Sequence, residues 1–354
     1  MTPRSRPSVR ADLSSLPGYH SPQVDVEVRL NTNEFPFPPP DGWFDKFAER
    51  VSKLPINRYP DREAVELRQS IASLHGVDAA NVFCANGSNE VIQILLQTYG
   101  GAGRSAGLFD PTYAMHSQIA HLTGTGLQRR QRNEDFTLDA PAVAELAPLV
   151  DVLFLCSPNN PTGVVDAPGL VSVALASTSG VIAVDEAYGQ FASWSAQSLM
   201  GEEVPLAVLR TFSKTWGMAG VRLGYLLGPT WMVDDLWKTS LPYHVSSFTQ
   251  TAGVLALEFE AEMHERVSLV VSERERLAQS LSQMAVRQWP SQSNYILIRP
   301  TSADAKVVWQ QMVDASVLVR DCSSWPRLEG CLRVTIGTPA ENDRFLTALG
   351  DSLT

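Results

Sequence analysis

Apolar and polar positions change their spacing along this chain, and the changes divide it. Residues 1–30 show no strong periodicity and are interrupted by Pro3, Pro7, Pro17 and Pro22, which predicts an extended arm. Beyond the proline cluster at Pro38, Pro39 and Pro40, residues 42–54 read as a helix. Asn57-Arg-Tyr-Pro-Asp61 makes a turn, after which Ala64, Leu67, Ile71 and Leu74 recur at helical spacing. From Asn81 the pattern becomes short apolar runs at 82–85, 106–109, 152–156, 181–184 and 206–210, with helical stretches such as 90–99 between most of them. Strands that alternate with helices predict an α/β fold with an open, mainly parallel sheet. Residues 248–284 read as one long, charged helix. The tail mixes strands (294–298, 317–320, 332–336) with helices (303–315, 339–349), the last opened by the capping box Thr338-Pro-Ala-Glu341. The expected organisation is an N-terminal arm (1–40), a large domain (41–247) and a smaller α+β domain (248–354).

Composition narrows the function classes. The chain has 354 residues and a net charge of −10, so its overall field does not favour nucleic acid or an acidic membrane, and an anionic ligand must be held by local arginines. No apolar run approaches the length of a spanning helix, and the basic start is followed by no apolar signal segment, which makes the cytoplasm the expected location. Cys84, Cys156, Cys322 and Cys331 are widely spaced and suggest neither a zinc site nor a disulfide framework, and no metal is expected. Gly100-Gly-Ala-Gly103 precedes its strand instead of following it, so it reads as a loop and not as a dinucleotide fingerprint.

The candidate chemistry begins with lysine, which is scarce. Lys46, Lys53, Lys238 and Lys306 sit in charged, helix-like surroundings, whereas Lys214 lies among Thr211, Phe212, Ser213, Thr215 and Trp216. Desolvation lowers the pKa of such an ammonium and frees a nucleophilic amine that can form a Schiff base with a carbonyl. A buried lysine paired with a carboxylate would look the same from this stretch alone. Three further strings bear on the choice. Val181-Ile-Ala-Val-Asp-Glu-Ala-Tyr188 puts Asp185 at the carboxyl end of a strand, where a buried carboxylate needs a cationic partner such as a pyridinium. A carboxylate that merely caps a loop is the alternative. Cys156-Ser-Pro-Asn-Asn-Pro-Thr-Gly163 holds amides in a rigid turn, and Asn86-Gly-Ser-Asn89 opens a helix whose N-terminus suits a phosphate. With Thr211, Ser213 and Arg222, these parts meet the requirements of pyridoxal phosphate.

In order and spelling the chain resembles the fold-type I pyridoxal-phosphate-dependent aminotransferases. The resemblance runs from about residue 16 to 349 and rests on Leu-Asn-Thr-Asn-Glu (30–34), Asn-Arg-Tyr-Pro-Asp (57–61), Asp-Pro-Thr-Tyr (110–113) and the strings around Asn160, Asp185 and Lys214. Leu-Pro-Tyr-His-Val-Ser-Ser (241–247) and Cys-Leu-Arg-Val-Thr-Ile-Gly-Thr (331–338) complete it. Within the class the strings are most similar to the branch that acts on histidinol phosphate, with glutamate and 2-oxoglutarate as the second pair. Branches acting on aromatic amino acids and on threonine phosphate (the latter by decarboxylation) share most of them. A non-catalytic binding protein of this fold is the alternative of another class, and the presence of Lys214, Asp185, Tyr188 and Arg222 argues against it.

The resemblance implies a mainly parallel seven-stranded sheet in the large domain and a role for each matching residue. Lys214 would carry the cofactor as a Schiff base and shuttle a proton. Asp185 would pair with the pyridinium, while Tyr188 and Asn160 would hydrogen-bond the ring oxygen. Tyr113 would stack on the ring. Gly87, Ser88, Asn89, Thr211, Ser213 and Arg222 would hold the phosphate. Relatives often carry Asp where this chain has Asn89. Tyr59 would reach the phosphate from a partner subunit, implying a homodimer. Arg333 would bind the substrate α-carboxylate. Arg320, with Tyr19 and His244, would take the distal carboxylate or substrate phosphate. His116 and His121 read as structural.

Overall fold

The structure, a computed structural model, describes residues 7–14 and 24–354. Among the described residues the strands are Val28–Leu30 (β1), Val82–Ala85 (β2), Ser105–Asp110 (β3), Gly126–Gln131 (β4), Val152–Cys156 (β5), Val181–Asp185 (β6), Leu206–Thr211 (β7), Gly224–Leu227 (β8), Val286–Gln288 (β9), Tyr295–Pro300 (β10), Val317–Asp321 (β11) and Leu332–Thr335 (β12). Seven of them form a sheet in the order β2-β8-β7-β6-β5-β3-β4. From β7 to β4 its neighbours run parallel, and β8 is antiparallel to both β7 and β2. Strands β5, β6 and β7 are buried along their whole length, as continuous apolar runs in the middle of a helix-covered parallel sheet must be.

Alternate side chains of these strands feed opposite faces. Phe154, Ala183, Ala207 and Leu209 pack with Phe83, Ile92 and Leu95 beneath the helices Ser88–Tyr99 and Thr230–Thr239. Leu153, Leu155, Ile182, Val184 and Val208 join a larger core that continues into the second sheet through Tyr295, Val317 and Leu332. That second sheet has the order β1-β11-β12-β10-β9. Its pairs are antiparallel except at the edge, where β1 lies parallel to β11. Residues 28–30, expected within an extended arm, are therefore an edge strand of the C-terminal sheet.

Two other expectations change. The long helix breaks at Glu258 and Phe259 into Ser247–Leu257, which packs on the helices Trp43–Val51 and Val65–His75, and Glu260–Leu281, which runs against Pro339–Ser352. Strand β4, Gly-Leu-Gln-Arg-Arg-Gln, was not visible as an apolar run because it is an exposed or half-buried edge strand throughout. Among the described residues no helix is long and apolar enough to cross a membrane.

Candidate active site

The carboxyl ends of β5, β6 and β7 open onto one cleft of ≈ 200 Å³, closed from the other side by β11, β12 and the segment Thr32–Glu34. This is where an open α/β sheet presents ligand groups, because the loops leaving the strands diverge there.

Lys214 lies just beyond β7 on the cleft wall, and its Nζ donates to the carbonyls of Asn33 at 2.9 Å and Thr32 at 3.2 Å. Burial pushes its pKa down to about 8, with the charges of Arg333 and Arg222 adding to the effect and Glu34 opposing it. The desolvation expected from the flanking sequence is therefore present, and among the described residues no carboxylate bonds to the amine.

Asp185 ends β6 and is buried. Its Oδ1 accepts from the Ala187 N–H at 3.1 Å, and its Oδ2 lies 2.9 Å from His116 Nε2. His116, read from sequence as structural, is fully buried and stacks on Phe154 at 4.6 Å. It is thus a direct partner of the key carboxylate, and its Nδ1 has no partner among the described residues. Its position three residues after Tyr113, one helical turn on, was the available signal.

Tyr188 and Asn160 both line the cleft. Burial pushes the Tyr188 phenol up to about 12, so it stays a neutral donor. Asn160 Oδ1 accepts from Arg333 Nη1 at 2.6 Å, which leaves its amide nitrogen as donor. The preceding Asn159 is different: its amide is taken by Pro111 O and Thr162 Oγ1.

The helix Ser88–Tyr99 begins at the cleft with Gly87 as its cap, at φ 84°. A Cβ on Gly87 would meet Arg222 Nη2 at 2.6 Å, and one on Gly224 would meet the Ser88 nitrogen at 2.3 Å, so both glycines permit close approach around this turn. Ser213 Oγ lies 3.4 Å from Arg222 Nη1. Thr211 Oγ1 lies 3.0 Å from Ser213 Oγ and 3.3 Å from Leu223 O, inside the loop. Asn89 Oδ1 accepts from the Tyr113 hydroxyl at 3.1 Å, so the amide nitrogen of Asn89 remains to donate where a carboxylate could only accept.

Arg320 and Arg333 are directly opposite each other on β11 and β12, and both line the cleft. Arg333 is buried, bonded to Asn160 and, at 3.0 Å, to Asn31 O. Arg320 lies over the Trp325 ring at 5.5 Å.

Two of the expected residues fall elsewhere, and a third is not described. His244 does not line the cleft: its ring nitrogens face Leu241 O and Cys84 O, which fixes it as a loop brace. Tyr59 is 80% exposed and stacks on Tyr243 at 4.6 Å. Tyr19 lies outside the described residues. Asn33, Glu34 and Trp325 line the cleft and carried no sequence-based role, although 30–34 had been singled out as a string.

The donor set fits pyridoxal phosphate. An amine of lowered pKa, a buried carboxylate, a phenol and a side-chain amide able to donate, an aromatic wall and a helix N-terminus with a guanidinium converge on one cleft. Fold and site together define a fold-type I pyridoxal-phosphate-dependent enzyme. The chain belongs to the aminotransferase class I and II family, whose model matches residues 25–349. It is 43% identical over 365 residues to the histidinol-phosphate aminotransferase of Frankia casuarinae, covering 98% of this chain and 90% of that one. Among solved structures, the histidinol-phosphate aminotransferase of Sinorhizobium meliloti in complex with pyridoxal-5'-phosphate superposes with a TM-score of 0.89 at 20% identity, covering 99% of this chain and 98% of that one. The L-threonine-O-3-phosphate decarboxylase of Porphyromonas gingivalis gives 0.80 at 22% identity, over 92% and 99%. At these identities the structures speak for the fold, which transaminases and decarboxylases share.

Proposed function

We propose that this enzyme transfers an amino group between histidinol phosphate and 2-oxoglutarate, giving imidazole acetol phosphate and glutamate, as a cytoplasmic step of histidine biosynthesis. The carrying observation is the cross-strand pair Arg320 and Arg333 on the cleft. Glutamate presents two carboxylates and histidinol phosphate one phosphate, so one pair of guanidiniums can serve both substrates in turn. The 43% identical relative named for histidinol phosphate supports imidazole over phenyl.

Pyridoxal phosphate, when bound, supplies the aldehyde that accepts the amino group and the ring that delocalises the electron pair left at the substrate Cα. The protein's part divides as follows. Lys214, whose Nζ lies on the cleft wall with its pKa lowered to about 8, would hold the cofactor and would serve as the base that moves a proton at the substrate Cα. Asp185 would accept from the pyridine N–H. Tyr188 and Asn160 would donate to the ring oxygen, and Tyr113 would wall the ring. Gly87, Ser88, Asn89, Thr211, Ser213 and Arg222 would hold the phosphate. Arg333 takes the α-carboxylate of glutamate, and Arg320 the distal anion. The exposed pair Tyr59 and Tyr243, with exposed Ile56 and Leu241, is the face a second copy would cover, bringing Tyr59 to its partner's cofactor phosphate.

The test is the first half-reaction. The cofactor-loaded protein is mixed with histidinol phosphate, phenylalanine or threonine phosphate, and loss of the long-wavelength cofactor absorbance is followed. Conversion by histidinol phosphate at far lower concentration than phenylalanine is the expected result. Comparable conversion by phenylalanine, or CO₂ release from threonine phosphate without 2-oxoglutarate, would overturn the substrate assignment.

A further inference from the structure

The hydrogen bonds around Asn33 have a direction that can be worked out from bonding rules alone. Asn33 is 1% exposed and sits at φ 54°, between the two sheets. Its backbone N–H donates to Thr335 Oγ1 at 3.0 Å. Thr335 therefore has its own hydroxyl hydrogen to give, and Asn33 Oδ1 lies 3.2 Å away to receive it. With Oδ1 facing Thr335, the amide nitrogen must face the other way, where Nδ2 donates to Tyr188 Oη at 2.9 Å. A phenol that accepts on that side must aim its single hydrogen elsewhere. Tyr188 is buried and lines the cleft, and among the described residues no protein group accepts that hydrogen.

The same segment is docked to β12 at two points, two residues apart on each side. Arg333 Nη2 donates to Asn31 O and Thr335 bonds Asn33. Alternation along a strand puts Arg333 and Thr335 on one face. Asn33 also reaches Lys214, whose Nζ donates to its carbonyl.

We propose that Thr335 and Asn33 are positioning residues that orient the Tyr188 hydroxyl so that it donates into the cleft, onto the ring oxygen of the cofactor. The relay runs Thr335 Oγ1–H to Asn33 Oδ1, Asn33 Nδ2–H to Tyr188 Oη, and Tyr188 Oη–H to the ring oxygen. No atom changes partner and no proton moves; the relay fixes which group donates. It rests on the cofactor reading and is independent of which amino donor the enzyme uses.

The experiment compares Thr335→Val, Thr335→Ser, Asn33→Ala and Asn33→Asp with the parent protein. Two quantities are read: the pH midpoint at which the absorbance of the bound cofactor changes, and the affinity of the cofactor-free protein for pyridoxal phosphate by equilibrium dialysis. Losing an oriented donor to an anionic oxygen raises that oxygen's proton affinity. Thr335→Val and Asn33→Ala are expected to move the midpoint up by about one unit and weaken the cofactor about tenfold. Thr335→Ser restores both. Asn33→Asp does not, because a carboxylate accepts from Tyr188 and turns its hydrogen away from the cleft. In a Tyr188→Phe background Thr335→Val adds nothing. Parental midpoints in Thr335→Val and Asn33→Ala, with only melting temperature lowered, would overturn the proposal. Should Asn33→Ala fail to fold, the Thr335 Val and Ser pair decides alone. A parent protein that takes up no pyridoxal phosphate would instead sink the cofactor reading.

Discussion

The lowered pKa of Lys214 gives a prediction whose size follows from the structure. The ammonium falls from an ordinary 10.5 to about 8, chiefly through burial. At pH 7 an amine of pKa near 8 is about 10% neutral, against roughly 0.03% for an unperturbed lysine, a ratio on the order of 300 in the nucleophilic form. Lowering the pKa favours the neutral amine, so reactivity should climb as pH rises through about 8 and level off above it. The assay uses the cofactor-free protein. Acetylation of Lys214 by an amine-directed reagent is timed by mass spectrometry from pH 6 to 10, with the exposed Lys306 as internal reference. Arg333→Gln removes a positive neighbour and should move the midpoint up, whereas Glu34→Gln removes the opposing negative charge and should move it down. A Lys214 midpoint at or above 10 in the parent, or one insensitive to both substitutions, would refute the reasoning.

Two further predictions concern the frame around the site. Arg210 and Glu186 form a buried ion pair at 2.7 Å next to Asp185, so Arg210→Met should cost about 3–5 kcal/mol in urea unfolding by stranding a buried carboxylate, and Glu186→Leu in the same chain should recover most of it. If Tyr59 serves the partner's site, a mixed dimer of one Lys214→Ala chain and one Tyr59→Ala chain contains one intact site of two and regains activity that neither homodimer shows; mixed dimers no better than Tyr59→Ala would place Tyr59 outside the partner's site.

The central sheet was legible because its strands are buried on both faces, so β5 and β6 announce themselves as unbroken apolar runs. β8 was missed: it is only four residues long and directly follows the distinctive Lys214 segment, which drew the reading towards chemistry. The cleft's central residues were readable because each lies beside a strand end or a tight turn, where local sequence reports position. His116 and Asn33 were not. His116 matters through a contact across 69 residues of sequence, and Asn33 through bonds to residues 155 and 302 positions away. No local pattern carries that information, and a single asparagine at positive φ looks like any turn residue.

The placement of β1 beside β11, with Asn31 and Asn33 fastened to β12, also bears on how the enzyme is made. The site's first contributing residues leave the ribosome early, yet their partners emerge only with the last strands, 302 positions later for Asn33 and Thr335. The helices and central sheet around Lys214 can assemble while synthesis continues. Arg333, which helps hold the lysine's pKa down, and β12, which docks the segment that accepts from its Nζ, are then still missing. Full activation of the amine therefore waits for nearly the whole chain, and a growing polypeptide is spared part of the reactivity that would let it capture stray aldehydes.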